Sequence, residues 1–142
     1  MKLKVRRLES TDAPLAARVV KSFAAQEVSL EHMRGFLSNP ANYLIVAEAG
    51  GEPAGFLLAY ALERLKEDAR KMFIYELDVA EGFRRKGVGR ALINHVRDIV
   101  KEEKMLSAFV FTNYSNEGAV EFYKNTGGKI VNGDDLLFAY SE

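Results

Sequence analysis

Residues 72–96, MFIYELDVAEGFRRKGVGRALINHV, set an aromatic and β-branched run, a basic glycine turn and an amphipathic pattern in direct succession. Such side chains suit a pleated, half-buried surface, which predicts a strand over 72–80. From Val88 to Glu103 the residues Val88, Ala91, Leu92, Val96, Ile99 and Val100 share one face of a 3.6-residue repeat, which predicts a helix. SAFVFT (107–112) reads as a second short apolar strand. Strand, helix and strand joined by a crossover of this length make a right-handed parallel βαβ unit. The chain must therefore build a sheet with a helix packed on its face.

The rest of the sequence extends that sheet. LKVRRLE (3–9) alternates as an edge strand, and Ser10, Thr11 or Asp12 caps a helix running to about residue 26. A short helix from Ser29 to Leu37 ends at Asn39-Pro40. NYLIVAEA, GGEP and AGFLLAYALE read as a hairpin, and RLKEDARK (64–71) connects it to the central strand. Asn116–Asn125 forms a last helix closed by Gly127-Gly128, and KIV (129–131) and LLFAY (136–140) are expected as closing strands. The expected fold is an α/β mixed sheet in the order β-α-α-β-β-β-α-β-α-β-β. With 142 residues, no repeat and no linker, one domain over 1–142 is expected.

Composition narrows the chemistry. Twenty Lys plus Arg balance twenty Asp plus Glu, so no global field favours nucleic acid or an anionic membrane. Selectivity must be local. There is no cysteine, and His32 and His95 lack ligand spacing, which argues against thiolate chemistry and a metal site. No stretch approaches the about 20 apolar residues of a membrane span, and MKLKVRRLES lacks a signal peptide's apolar run. A cytoplasmic enzyme or binding protein fits.

The turn at 81–90 suits a diphosphate. A helix's first turn leaves about four N–H groups without intrahelical partners and carries roughly half a positive charge. Gly87 and Gly89 let the main chain approach an anion, and Arg84, Arg85, Lys86 and Arg90 add charged donors. Two familiar patterns fail here. Gly82 and Gly87 have Walker spacing, but Val88-Gly89 stand where Lys and Ser or Thr are required. GVGRAL carries Leu92 where the dinucleotide fingerprint needs its third small residue. A third pattern, Gln or Arg, two residues, Gly, one residue, then Gly or Ala, matches RRKGVG throughout.

With LDVAEGFRRKGVGRALI ahead of it and NEGAVEFYKNTGGKI (116–130) behind, the sequence resembles the GNAT superfamily of N-acetyltransferases over nearly its whole length. The resemblance implies a splayed central strand pair that admits the pantetheine of acetyl-CoA. By the same resemblance, main-chain groups of Leu77 and Val79 bind the pantetheine, the turn 84–90 including Val88 binds the pyrophosphate, and Asn116 bonds the pantetheine. Tyr123 matches the tyrosine beside the coenzyme A sulfur and would protonate the thiolate, although Val120, Phe122 and Tyr123 also suit a plain helix core. The Val79 N–H would be an oxyanion donor.

Strand alternation places Phe73, Tyr75, Leu77 and Val79 on one face and Glu76 and Asp78 on the other. Carboxylates mid-strand face a polar cleft or pair with a cation. Glu76 is thus a general base or an acceptor anchor, or else a structural partner of Arg64 or Lys71. The run 73–94 looks like the aminoglycoside 3-N-acetyltransferase branch, and Glu27, Glu31, Glu76 and Asp78 would suit a cationic acceptor. Phe138 is followed by Ala139 where that branch carries an acid, and Asp78 stands where it prefers a small residue. The expected activity is acetyl transfer to a primary amine of a small cation such as an aminoglycoside. A protein or peptide N-acetyltransferase and a non-catalytic acyl-CoA-binding module are the alternatives, and the apolar tail LLFAY could serve a homodimer.

Overall fold

A computed structural model describes residues 1–141 as two compact units, Met1–Phe111 and a second beginning at Thr112. The first holds β1 (Leu3–Arg7), α1 (Ala13–Ala24), α2 (Leu30–Ser38), β2 (Asn42–Ala49), β3 (Glu52–Glu63), β4 (Arg70–Val79), α3 (Val88–Glu102) and β5 (Ala108–Val110). The strands form one sheet in the order β1-β2-β3-β4-β5. All pairings are antiparallel except β4 with β5, the parallel pair that α3 bridges.

Local chemistry sets the ends of these elements. Asp12 precedes α1, but its carboxylate accepts from Arg6 (2.9 Å to each oxygen) and from the Glu9 N–H (2.7 Å) rather than capping α1. The Arg6 guanidinium holds the Asp12 carboxyl below its usual value. Ser29 caps α2 by accepting from the His32 N–H at 3.1 Å, and Ala25 ends α1 in the left-handed region.

Helices cover both faces of the sheet. On one side α1 and α2 bury Ala16, Val19, Met33 and Leu37 against Leu44, Val46 and Phe56. On the other lies α3, which buries Val88, Leu92, Ile93, Val96 and Ile99. Gly55 of β3 makes its close docking feasible: a Cβ there would stand 2.9 Å from the Asp78 carbonyl oxygen and 2.9 Å from Val88 Cγ1. The glycine thus brings the start of α3 down onto the end of β4. Sequence patterning alone gave no reason to single out Gly55.

Two irregularities in the sheet position the site. Ala59 pairs with Ile74 and Leu58 with Glu76, so Tyr75 is an extra residue, a β-bulge. Directly paired residues share a face. Phe73 (opposite Tyr60), Glu76 (opposite Leu58) and Asp78 (opposite Phe56) therefore face the α1–α2 side, while Leu77 and Val79 face α3 with Leu57 and Gly55. This corrects the simple alternation, which put Phe73 and Tyr75 with Leu77 and Val79. The second irregularity is the end of the parallel ladder at Ile74–Val110, although β4 continues to Val79. The β5 side of β4 is left without a strand beyond Ile74.

The second unit contains α4 (Glu117–Asn125), capped by Asn116, whose side-chain oxygen accepts from the Ala119 N–H at 3.1 Å. The expected strands at 129–131 and 136–140 are not formed. A strand needs a hydrogen-bonded partner, and these segments have none among the described residues. Val131, Leu137 and Tyr140 are almost fully exposed.

Gly55→Ala should destabilise the protein by about 1–3 kcal/mol, because backbone and α3 must both shift to admit the methyl group. The midpoint of urea unfolding followed by circular dichroism checks this, with Gly51→Ala, which meets open space at a positive φ, as the comparison.

Candidate active site

The basic turn forms a pre-shaped main-chain cradle. After a 3-10 turn (Glu81–Phe83), Arg84 is extended, Arg85 has φ 60° and Gly87 has φ 83°. Gly87 then occupies the N-cap of α3, with no side chain to offer the helix. The first intrahelical bond runs from the Ala91 N–H to the Gly87 carbonyl at 3.0 Å. The N–H groups of Val88 and Gly89 thus lack an intrahelical acceptor at the positive end of a 15-residue helix. Space beside Gly87 is open, since a Cβ there would meet nothing within 4 Å. A non-glycine residue at positive φ, like Arg85, is sparsely populated and is retained where surrounding structure determines it.

The cations of the turn differ in their engagements. Arg84 Nε donates to the Val79 carbonyl at 3.2 Å, and Lys86 Nζ lies 5.9 Å from the Phe83 ring centre. Val79 is occupied at its other group as well, because its N–H donates to Asp78 Oδ1 at 2.9 Å. Both main-chain groups expected to meet a ligand are therefore held by neighbouring side chains. Arg85 and Arg90 complete the basic set on the turn and the first turn of α3.

Glu76 and Asp78 are exposed, and no ion pair engages either among the described residues. Arg64, the expected structural partner of Glu76, pairs with Glu67 at 2.9 Å. Asp78 lines a cleft of about 360 Å³ with Ser22, Phe23, Glu52, Glu81 and Arg84. Glu27 and Glu31 do not line it: Glu27 pairs with Lys21 at 2.8 Å and Glu31 sits in the first turn of α2. Glu52 and Glu81 supply the acidity there instead. Neither was legible beforehand, because only the hairpin register brings the start of β3 beside the end of β4.

In the second unit, Tyr123 is half-buried on α4 with its ring 5.2 Å from that of Phe122. Burial pushes its phenol above the ordinary 10.0. Its carbonyl accepts from the Gly128 N–H at 2.7 Å and from Thr126 Oγ1 at 3.2 Å. A Cβ at Gly128 would stand 2.8 Å from that carbonyl oxygen, so the glycine pair fixes the backbone that carries Tyr123. No cluster of potential metal ligands is present, and no helix is long and apolar enough to cross a membrane, among the described residues.

An uncapped helix N-terminus behind a basic glycine turn, at the end of a strand that outruns its parallel neighbour, is the arrangement expected of an acyl-CoA site. Residues 4–127 match the model of the Acetyltransferase (GNAT) family. The chain belongs to the GNAT family. It is 33% identical over 66 residues to a probable N-acetyltransferase, san, of Drosophila melanogaster, a match covering 46% of this chain and 36% of that protein. It spans little more than a third of the length of the curated relatives it matches. A solved aminoglycoside acetyltransferase from an uncultured soil metagenomic sample, in complex with trehalose, is similar at a TM-score of 0.91 and 25% identity. That match covers 99% of this chain and 96% of the other. AAC(6')-Iy, in complex with the bisubstrate analog CoA-S-monomethyl-acetylneamine, shares the GNAT fold at a TM-score of 0.81 and 16% identity, over 100% of this chain and 99% of its own.

A phenol whose pKa rises on folding holds its proton more tightly when folded. The contribution of Tyr123 to stability is thus complete below the unfolded value of 10.0 and is lost as pH rises through the raised folded value. Unfolding free energy should fall less steeply with alkaline pH in Tyr123→Phe than in the wild type, as urea titrations from neutral to strongly alkaline pH would reveal.

Proposed function

We propose that this protein is an acetyl-CoA-dependent N-acetyltransferase that moves acetyl directly to a primary amine of a small cationic molecule, with an aminoglycoside as the leading acceptor. The observation that carries the reading is the uncapped start of α3, presented by Gly87 beside the unpaired edge of β4. The similarity to an aminoglycoside acetyltransferase over almost the full chain supports the acceptor class.

Arg84, Arg85, Lys86 and Arg90, with the N–H groups of Val88 and Gly89, bind the donor's pyrophosphate. Main-chain groups of Leu77 and Val79 bind the pantetheine once Arg84 and Asp78 release Val79. The side-chain oxygen of Asn116 is engaged in its helix cap. Asn116 bonds the pantetheine through its side-chain amide.

Glu76 receives the proton of the acceptor ammonium or anchors that cation, and Asp78, Glu52 and Glu81 add negative field. The amine nitrogen attacks the thioester carbonyl, and the Val79 N–H stabilises the oxyanion. The carbon–sulfur bond then breaks as Tyr123 protonates the departing thiolate, and the second proton of the attacking nitrogen passes to the tyrosinate, leaving a neutral amide, a coenzyme A thiol and a neutral phenol.

Calorimetry with acetyl-CoA, followed by a thiol-release assay on aminoglycosides, polyamines, amino acids and short peptides, tests the assignment. Saturable binding in the wild type should vanish in Gly89→Glu. Tyr123→Phe should lower kcat about 10²-fold with little change in acetyl-CoA affinity. Glu76→Gln should lower the rate most at low pH, where the amine is protonated, and an unchanged pH–rate profile would remove Glu76 from the mechanism. Turnover confined to peptides would replace the small-amine reading.

A further inference from the structure

A row of aromatic rings crosses the sheet face that carries Glu76. Phe36 of α2, Tyr60 of β3, and Tyr75 and Phe73 of β4 follow one another edge to face, with centroids 6.4, 5.7 and 5.8 Å apart. Phe73 continues the row by stacking on Phe109 at 5.1 Å. One end is rooted in the core, where Phe36 packs against the α1–α2 cluster. The row surfaces at two places, at Phe111, which meets Phe73 and Phe109 edge to face at 6.0 Å and is 64% exposed, and at Tyr75, which is 57% exposed and lies next to Glu76.

Packing alone does not explain that exposure. Tyr75 is the extra residue of the β4 bulge, and bulges commonly re-aim a side chain beside a functional site. Its neighbours Tyr60 and Phe73 hold the ring upright, so little freedom remains to be lost when a ligand settles on it. Glu76 follows on the same face, exposed and without an ion pair among the described residues. The Tyr60 phenol is raised by burial first, then by the charges of Tyr75 and Glu76, which agrees with these groups lying together.

We propose that Tyr75, backed by Tyr60 and Phe73 and flanked by Glu76, is the platform on which the acceptor lies, and that it selects amines borne on a ring over linear amines. The inference rests on the acetyl-transfer reading above and narrows its acceptor class. The flat C–H face of an aminated ring covers the Tyr75 ring, while an ammonium on that ring meets both the negative aromatic face and the Glu76 carboxylate. A linear amine reaches Glu76 but leaves much of Tyr75 wet, and it loses more internal freedom on binding. The bulge sets aromatic surface and carboxylate side by side.

The test compares neamine, a ring-borne amine, with spermidine, a linear one, in wild type, Tyr75→Ala and Tyr75→Phe. The ratio of kcat/KM for neamine to that for spermidine should fall about tenfold in Tyr75→Ala, mainly through KM for neamine, and should persist in Tyr75→Phe, which keeps the ring. Calorimetric titration with neamine reads the platform without turnover, and its affinity should weaken by a similar factor in Tyr75→Ala. An unmoved ratio and an unmoved affinity in Tyr75→Ala overturn the proposal, as does a wild type that binds no neamine. A wild type that binds neamine through Tyr75 but acetylates no amine sinks the acetyl-transfer reading and leaves the platform standing. Because Tyr75 is exposed, both variants should retain the wild-type circular dichroism spectrum.

Discussion

One residue too many in β4 governs the working face of the sheet. Opposite the Leu58–Ala59 step, β4 inserts Tyr75, and every side chain beyond it exchanges faces relative to simple alternation. Leu77 and Val79 are thereby turned toward α3, while Glu76 and Asp78 join Phe73 and Tyr75 on the other side. Without the bulge, the two carboxylates would face the apolar stripe of α3, where an unpaired charge is strongly unfavourable. The bulge therefore reconciles a charged strand segment with a helix-covered sheet.

A second constraint is the close approach of α3. Gly55 allows Val88 and Leu92 to pack near the start of β3, and this carries the start of α3 to the place where β4 outruns β5. The uncapped end of the helix and the unpaired strand edge then lie in one unit, joined by the eight residues 80–87. Asp78 and Arg84 satisfy the main-chain groups of Val79. Exposed main-chain polar groups at an open edge invite unwanted strand pairing, and side chains that occupy them limit that hazard.

Much of this was legible from the chain. The strand, basic turn and amphipathic helix were readable because each rests on local chemistry: β-branched content, glycine freedom and a 3.6-residue stripe. The N-caps at Ser29 and Asn116 were readable at the level of helix ends for the same reason. The carboxylates that share a cleft with Asp78 were not. Glu52 and Glu81 lie 29 positions apart in sequence, and only the β3–β4 register places them together. Glu27 and Glu31 have the charge to suit a cationic acceptor, but an ion pair with Lys21 engages the first and neither lines that cleft. The closing strands failed because apolar content predicts burial or pairing, while a strand exists only when a partner edge is bonded to it.

The sequence by itself determined the family motif, the basic glycine turn at the start of α3 and the sheet-and-helix class. These follow from residue types at short spacing, where backbone geometry leaves few choices. Tertiary structure alone decided which way Glu76 faces, that Gly55 seats α3, and that Tyr60, Tyr75 and Phe73 form a continuous aromatic row. Each of those outcomes depends on registers between distant strands, and a one-residue slip in such a register turns every following side chain to the opposite face.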